Sequence, residues 1–306
     1  MKMERSYYES SLDELWNSFT IFNKSKNLAK ATERFYRQTA GEFIAWLKET
    51  KGYDKCGLIR QQDIYEYKEM LRSTDLEITS VNTNIRGIRT LINFGIREQY
   101  LSKKLSVSLM NAQKKVKKAY TDRELEALLK KPSLKDTTFA IYRTWVAVNF
   151  LIGTGARLNT VVNVQIGDLD FANRLINLNR TKNKKAQIIP MSSKLSKVLR
   201  EYLSYRQGSD KDYLFCTTND FTRLSKEGFT SAIQRYHKMR GVERTSVHLY
   251  RHTFAKLAVK NGIDPLRLQK LLGHSTLQMT QEYVNLYGTD LQKGFNDYSP
   301  LDSIGR

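Results

Sequence analysis

The segment LLGHSTLQMTQEYV, Leu271 to Val284, places a histidine in a glycine turn and a tyrosine nine residues later. The whole chain has only four histidines. A tyrosine hydroxyl with an imidazole nearby is a candidate nucleophile. The plainer alternative is a pair of rings on a core helix. Two helices joined by so tight a turn also match a helix-turn-helix reader of DNA. Upstream, SVHLYRHTFAKLAV sets His248 and Arg251 three apart on one helix face, a pair able to bind an oxyanion and move a proton. His252, four from His248, can share that face, but packing or capping near the same helix is the expectation for it. Arg157 follows LIGTGA directly after a helix stop, and Lys182, Lys184 and Lys185 fall in the polar turn RTKNKK. Taken singly, such an arginine is a surface charge and such lysines are solvated.

These residues need helices and a hairpin to position them. NGIDPLRLQKLLGH carries Asp264 as N-cap, Pro265 at the first helical position and Gly273 as the stop, with Leu268, Leu271 and Leu272 facing inward. A second helix is predicted to start at HSTLQ, with Ser275 and Gln278 as a capping box. TWVAVNFLIGTGAR is a strongly apolar helix closing on Gly153 and Gly155. In LDFANRLINLNRTKNKKAQIIPMS the period changes: Leu175, Asn177 and Asn179 precede the basic turn and Ile188 and Ile189 follow it, a small sheet with a basic hairpin. TDRE, Thr121 to Glu124, is a capping box that opens this half of the chain.

The first half is predicted to be helical throughout. Leu12, Leu15, Trp16 and Phe19 fall on one face, as do Phe35, Phe43, Ile44 and Leu47, and Val81, Ile85, Ile88 and Ile92. QQDIYEYKEMLRS supplies the fourth helix. Arg86, Arg89 and Arg97 lie opposite the apolar face of the last one. NAQKKVKKAY then runs through Lys114, Lys115, Lys117 and Lys118, a basic linker suited to lie along phosphates. Domains are therefore expected at 1–111 and 120–306, joined by a linker at 112–119, with a C-terminal tail from about 288. At 306 residues, with 40% hydrophobic and 11% aromatic residues, the chain can build two cores. Its net charge of +20 favours a polyanionic partner, nucleic acid above all. Cys56 and Cys216 form no CxxC pair, so no disulfide framework or zinc cluster is expected. No apolar run suits a membrane span or signal peptide, and a cytoplasmic, nucleoid-associated protein is expected.

In order, Arg157, Lys182, His248-x-x-Arg251, Leu-Gly-His274 and Tyr283 resemble the tyrosine recombinase, or phage integrase, family. The matching stretches are GTGARLNTVVNVQIGDLDF, TKNKKAQIIP, HLYRHTFA and LLGHSTLQMTQEYV. The resemblance implies a mainly α fold with a small antiparallel β-sheet (α+β): an N-terminal, SAM-like helical core-binding domain and a C-terminal catalytic domain. Thr160 departs from the pattern, since the family often carries an acid three residues after the first arginine. Asp168 and Asp170 are candidates to supply that charge.

The implied reaction is cleavage and rejoining of DNA through a 3′-phosphotyrosine. A phosphodiester repels nucleophiles, so charge on its non-bridging oxygens must be offset, and Arg157 and Arg251 suit that task. Tyrosine has a pKa of about 10, so at neutral pH it needs a base or a strong local positive field, and His248 is the candidate base. The leaving 5′ oxygen needs a proton, for which Lys182 is the candidate acid. His274 would hydrogen-bond the phosphate and Tyr283 would attack it, with Tyr287 as a decoy. His237 is expected at the surface or facing phosphate. No metal or other cofactor is expected.

Arg86, Arg89, the four linker lysines, Lys184 and Lys185 are expected to contact DNA. The expected partner is double-stranded DNA carrying recombination sites, bound by a homotetramer whose tail docks on the neighbouring subunit, with accessory recombination factors and no membrane. An additional arm-site-binding domain is not expected, which favours the simpler recombinases of Xer-like size. Outcomes include integration, excision, inversion and resolution. Two rivals stand beside this: a non-catalytic DNA-binding regulator, and a type IB topoisomerase-like enzyme that relaxes DNA without a specific site.

Overall fold

The computed structural model describes residues 9–112, 119–178 and 187–287. The chain divides into two compact units, Met1–Lys115 and Val116–Arg306. Among the described residues no helix is long and apolar enough to cross a membrane.

In the first unit α1 (Leu12–Ser25), α2 (Lys30–Tyr36), α3 (Glu42–Lys51), α4 (Gln61–Arg72) and α5 (Ile78–Arg97) enclose one core. α1 starts on a full capping box, Ser11 with Glu14. The single helix expected over ATERFYRQTAGEFIAWLKE is divided by a π-helical turn, Arg37–Gly41. A π turn holds an extra residue and rotates the face that follows. Thr39 and Ala40 are buried as a result, while α2 itself buries nothing completely and Phe35 is only half-buried. Gly87 on α5 lets this turn approach: a Cβ there would lie 1.8 Å from Thr39 Oγ1. α5 buries Val81, Ile85, Ile88 and Ile92 as its spacing predicts, leaving Arg86 exposed and Arg89 half-buried. Arg97 differs from its neighbours: its guanidinium lies 4.5 Å from the Phe22 ring centroid and pairs with Glu98 at 2.8 Å.

The second unit contains α6 (Asp122–Leu129), α7 (Phe139–Thr154), α8 (Leu158–Val161), β1 (Leu169–Asp170), β2 (Leu175–Leu178), β3 (Gln187–Pro190), α9 (Ser193–Arg206), α10 (Lys226–Met239), α11 (Val247–Lys260), α12 (Pro265–Leu272) and α13 (Gln278–Tyr287). The three strands form one antiparallel sheet in the order β1-β2-β3, with Ile176 opposite Ile189. Both of those side chains are buried while Ile188 faces out, the alternation that a one-sided sheet requires. α7 is buried along most of its length and forms the axis against which α6, α9, α10 and α11 pack. It ends at Gly155 in the left-handed region (φ 62°). A Cβ at Gly155 would meet Phe254 Cδ1 at 2.6 Å, so this stop sits directly against α11. Arg157 leaves the same turn as the N-cap residue of α8.

Candidate active site

α12 begins and ends as its residues dictate. The Asp264 side chain accepts the Arg267 amide, Pro265 opens the helix, and Gly273 closes it at φ 58°. α13 starts later than expected, at Gln278, with the Leu277 carbonyl accepting the Thr280 and Gln281 amides. The Ser275 hydroxyl lies 3.9 Å from Met279 Sδ in place of capping. The longer connection lets His274 Nδ1 meet Thr280 Oγ1 at 2.8 Å.

The end of α12 is the organising feature. The last four carbonyls of a helix lack intrahelical partners and carry the negative end of its dipole. Here they collect side-chain donors. Arg251 Nη2 donates to Leu272 O at 2.6 Å, and its Nη1 to Gly155 O at 2.9 Å. Arg157 Nη1 donates to Leu272 O at 3.3 Å and Gly273 O at 3.2 Å, and its Nη2 to Gly273 O at 3.3 Å. Gln187 Nε2, from the first residue of β3, donates to Lys270 O at 2.9 Å and Leu271 O at 2.5 Å. One helix end thus holds both guanidiniums and the first residue of β3.

This explains how the chain manages without an acid at position 160. Thr160 is buried. Asp168 accepts the Gln165 amide and Asp170 accepts from the Asn173 backbone and side chain, so both carboxylates close local turns. The α12 carbonyls are the groups that receive Arg157. Burial lowers the pKa of Arg157, against the pull of Tyr283. Burial first, and Arg157 second, push Arg251 down to about 10, so it is still charged at neutral pH. Each arginine has five N–H donors, and the bonds to carbonyl oxygens leave further donors for an anion.

Tyr283, on α13, is brought to the same place. It is 8% exposed and packs with Ala255, Leu268 and Leu272. Its hydroxyl lies 2.6 Å from His252 Nδ1. The His274 ring lies parallel to its ring at 6.3 Å, with an interplanar angle of 10°. Burial, followed by the charges of Arg251 and Arg157, pushes the His274 pKa down to about 4, so that imidazole is neutral at physiological pH. Four of the residues expected at the site, Arg157, Arg251, His274 and Tyr283, therefore meet at the end of α12.

His248 does not share the burial of Arg251. Arg251 is buried, whereas His248 is exposed and lines a cleft of about 620 Å³ with Leu158, Gln234, Thr245 and Ser246. The residue that spacing alone missed is His252. It belongs to the same HxxRH stretch, and its i,i+4 relation to His248 was the available signal, but only the docking of α13 on α11 shows which imidazole meets the phenol. His237 is neither at the surface nor facing phosphate. It is fully buried between Arg244 O (Nδ1, 2.6 Å) and the Tyr250 hydroxyl (Nε2, 2.5 Å). With Tyr120 and the Arg244–Glu124 ion pair it fixes the start of α11. Lys182, Lys184 and Lys185, the linker residues Lys114, Lys115, Lys117 and Lys118, and the tail from 288 all lie outside the described residues, as does the side chain of Tyr287.

Comparison with known proteins identifies the family. Residues 118–289, more than half of the chain, match the phage integrase family. The tyrosine recombinase XerD of Oceanobacillus iheyensis is 24% identical over 294 residues, covering 92% of this chain and 96% of the relative. The tyrosine recombinase XerA of Pyrococcus furiosus is 25% identical over 309 residues, covering 98% of each. Among solved structures, the Tn1549 transposon integrase in complex with a circular intermediate DNA superposes with a TM-score of 0.71. It is 17% identical over 90% of this chain and 95% of that one, a likeness of fold. The chain belongs to the phage integrase family of tyrosine recombinases.

Proposed function

We propose that this chain, a site-specific DNA recombinase by family, opens one DNA strand by attack of the Tyr283 hydroxyl on a phosphodiester. The observation that carries this is the convergence of the Tyr283 phenol with the Arg157 and Arg251 guanidiniums and the His274 ring at the end of α12. The new bond joins the tyrosine oxygen to phosphorus. The bond to O5′ breaks, its electron pair leaves on O5′, and a proton is supplied there by Lys182. The arginines offset charge on the non-bridging oxygens, and His274 donates to one of them from Nε2 while Nδ1 faces Thr280. His248, the base expected from the motif, is exposed at the cleft and serves the phosphate. Because the phosphotyrosyl bond keeps the energy of the bond it replaces, a new strand can be joined without ATP, and no metal is called for.

The partner is double-stranded DNA bearing a recombination site, engaged also by Arg86, Arg89 and the basic residues of the linker and hairpin. Integration, excision, inversion and resolution share this chemistry. The setting is the cytoplasm, at the nucleoid. Four copies assemble on DNA, with accessory recombination factors where the site requires them, and the tail from residue 288 docks on the neighbouring subunit. Deleting residues 289–306 is then expected to remove both strand exchange and cooperative DNA binding. Survival of both would place the tail in cis.

A random library of nicked duplexes tests the reaction. Cleavage beside a nick releases a short strand and traps the protein on the remainder. The expected result is a covalent complex whose phosphopeptide maps to Tyr283 and whose DNA converges on one sequence. Adducts spread over unrelated sequences would indicate the topoisomerase-like alternative. Binding with no adduct would indicate the regulator.

A further inference from the structure

The phenol of Tyr283 has a polar partner with no role in the mechanism above. His252 Nδ1 lies 2.6 Å from the Tyr283 hydroxyl oxygen, with ring centroids 5.6 Å apart. His252 is fixed on α11, beside Arg251 and one turn after the exposed His248. The other imidazole against the phenol, that of His274, is a poor proton acceptor. Its Nδ1 meets Thr280 Oγ1, and burial together with the two arginines disfavours its charged form. The apolar neighbours Ala255, Leu268 and Leu272 disfavour a bare phenolate in this place. An attacking tyrosine here therefore needs a proton acceptor in contact with it, as well as positive charge nearby.

We propose that His252 is a catalytic residue, the base that takes the proton of Tyr283 as its oxygen attacks phosphorus. This rests on Tyr283 being the nucleophile. In the resting enzyme the phenol donates to Nδ1, and His252 carries its own proton on Nε2. During attack the O–H bond breaks and the proton passes to Nδ1, giving an imidazolium. The tyrosine oxygen bonds to phosphorus, and the electron pair of the broken P–O bond leaves on O5′, which is protonated by a separate acid. On rejoining, the imidazolium returns its proton to the departing phenolate. His252 is thus assigned to the nucleophile, and the acid to the opposite, leaving side.

Single-turnover cleavage of the duplex recovered from the library tests the assignment, with His252→Asn beside the wild type. The asparagine side chain keeps a hydrogen-bonding atom near the position of Nδ1 but is not a base. The rate is expected to fall by about 10²–10⁴-fold, the usual contribution of a general base, with DNA affinity and melting temperature held. The same assay is run on a duplex whose O5′ is replaced by sulfur, a leaving group that departs without a proton. The H252N defect should persist there. A rate close to wild type would overturn the proposal, and so would recovery on the sulfur duplex, which would move His252 to the leaving group. If H252N melts early, His252→Gln is measured in the same two assays. A wild-type chain that forms no adduct fails in the first lane, and that result counts against Tyr283 as nucleophile before any variant is compared.

Discussion

Phenylalanine at position 283 is expected to abolish the covalent adduct while DNA binding stays at the wild-type level. The loss of cleavage should be at least about 10⁴-fold, because no other group at the site can take over a covalent step once its nucleophile is gone. Folding should barely change. The ring still fills its place among Ala255, Leu268 and Leu272, and losing the hydrogen bond to His252 costs about 1 kcal/mol. A thermal melt separates the two effects: a near-normal transition together with no adduct on the nicked duplex is the expected pair of results. The same change at Tyr287 should leave the adduct in place, since its distance along the chain from His274 does not fit the family pattern. A Y283F protein that still became covalently attached would move the nucleophile elsewhere, and the roles assigned to the residues around the phenol would move with it.

What could be known before any coordinates follows from how local each interaction is. The capping box at Thr121 and Glu124 is made of bonds three residues apart, and so is the cap at Asp264. The amphipathic face of α5 is set by its own spacing. Such features are complete within one segment and can be read there. The π turn at Arg37–Gly41 is different, because it depends on Thr39 meeting the bare backbone of Gly87 on another helix. The late start of α13 is similar: Ser275 has the right type and spacing for a cap, but the connection extends so that His274 can meet Thr280.

The site divides along the same line. Residue types and order pointed to Arg157, Arg251, His274 and Tyr283, since family motifs record chemistry. Position 160 showed that the usual acid was missing, but the groups that receive Arg157 are backbone carbonyls, which have no signature in a sequence. The partners of His252 and His237 are hidden in the sequence for one reason. A histidine's partners come from other elements, α13 for His252 and the loop before α11 for His237. Spacing along a helix fixes the direction in which a ring points and not what will be there.

Removal of the Arg251 guanidinium should come next in size after loss of the nucleophile. Arg251→Ala is expected to slow cleavage by about 10³-fold or more, since loss of a single donor to a developing oxyanion already costs about 10²–10³. Stability should fall as well. Arg251 is 7% exposed and bridges Gly155 O and Leu272 O, which belong to different segments. Alanine would take its donor from the buried Gly155 carbonyl, at about 1–3 kcal/mol where nothing replaces it, while Leu272 O keeps the longer bond from Arg157. Arg251→Lys separates the two roles. An ammonium keeps the charge but not the planar fork that can span two carbonyls and still present N–H groups to a phosphate. It should therefore recover much of the melting temperature while cleavage stays down by about 10²-fold. If R251K instead restored cleavage as fully as it restored folding, charge alone would suffice. The role given to the α12 carbonyls, as a template aiming two guanidiniums at one phosphate, would then be wrong.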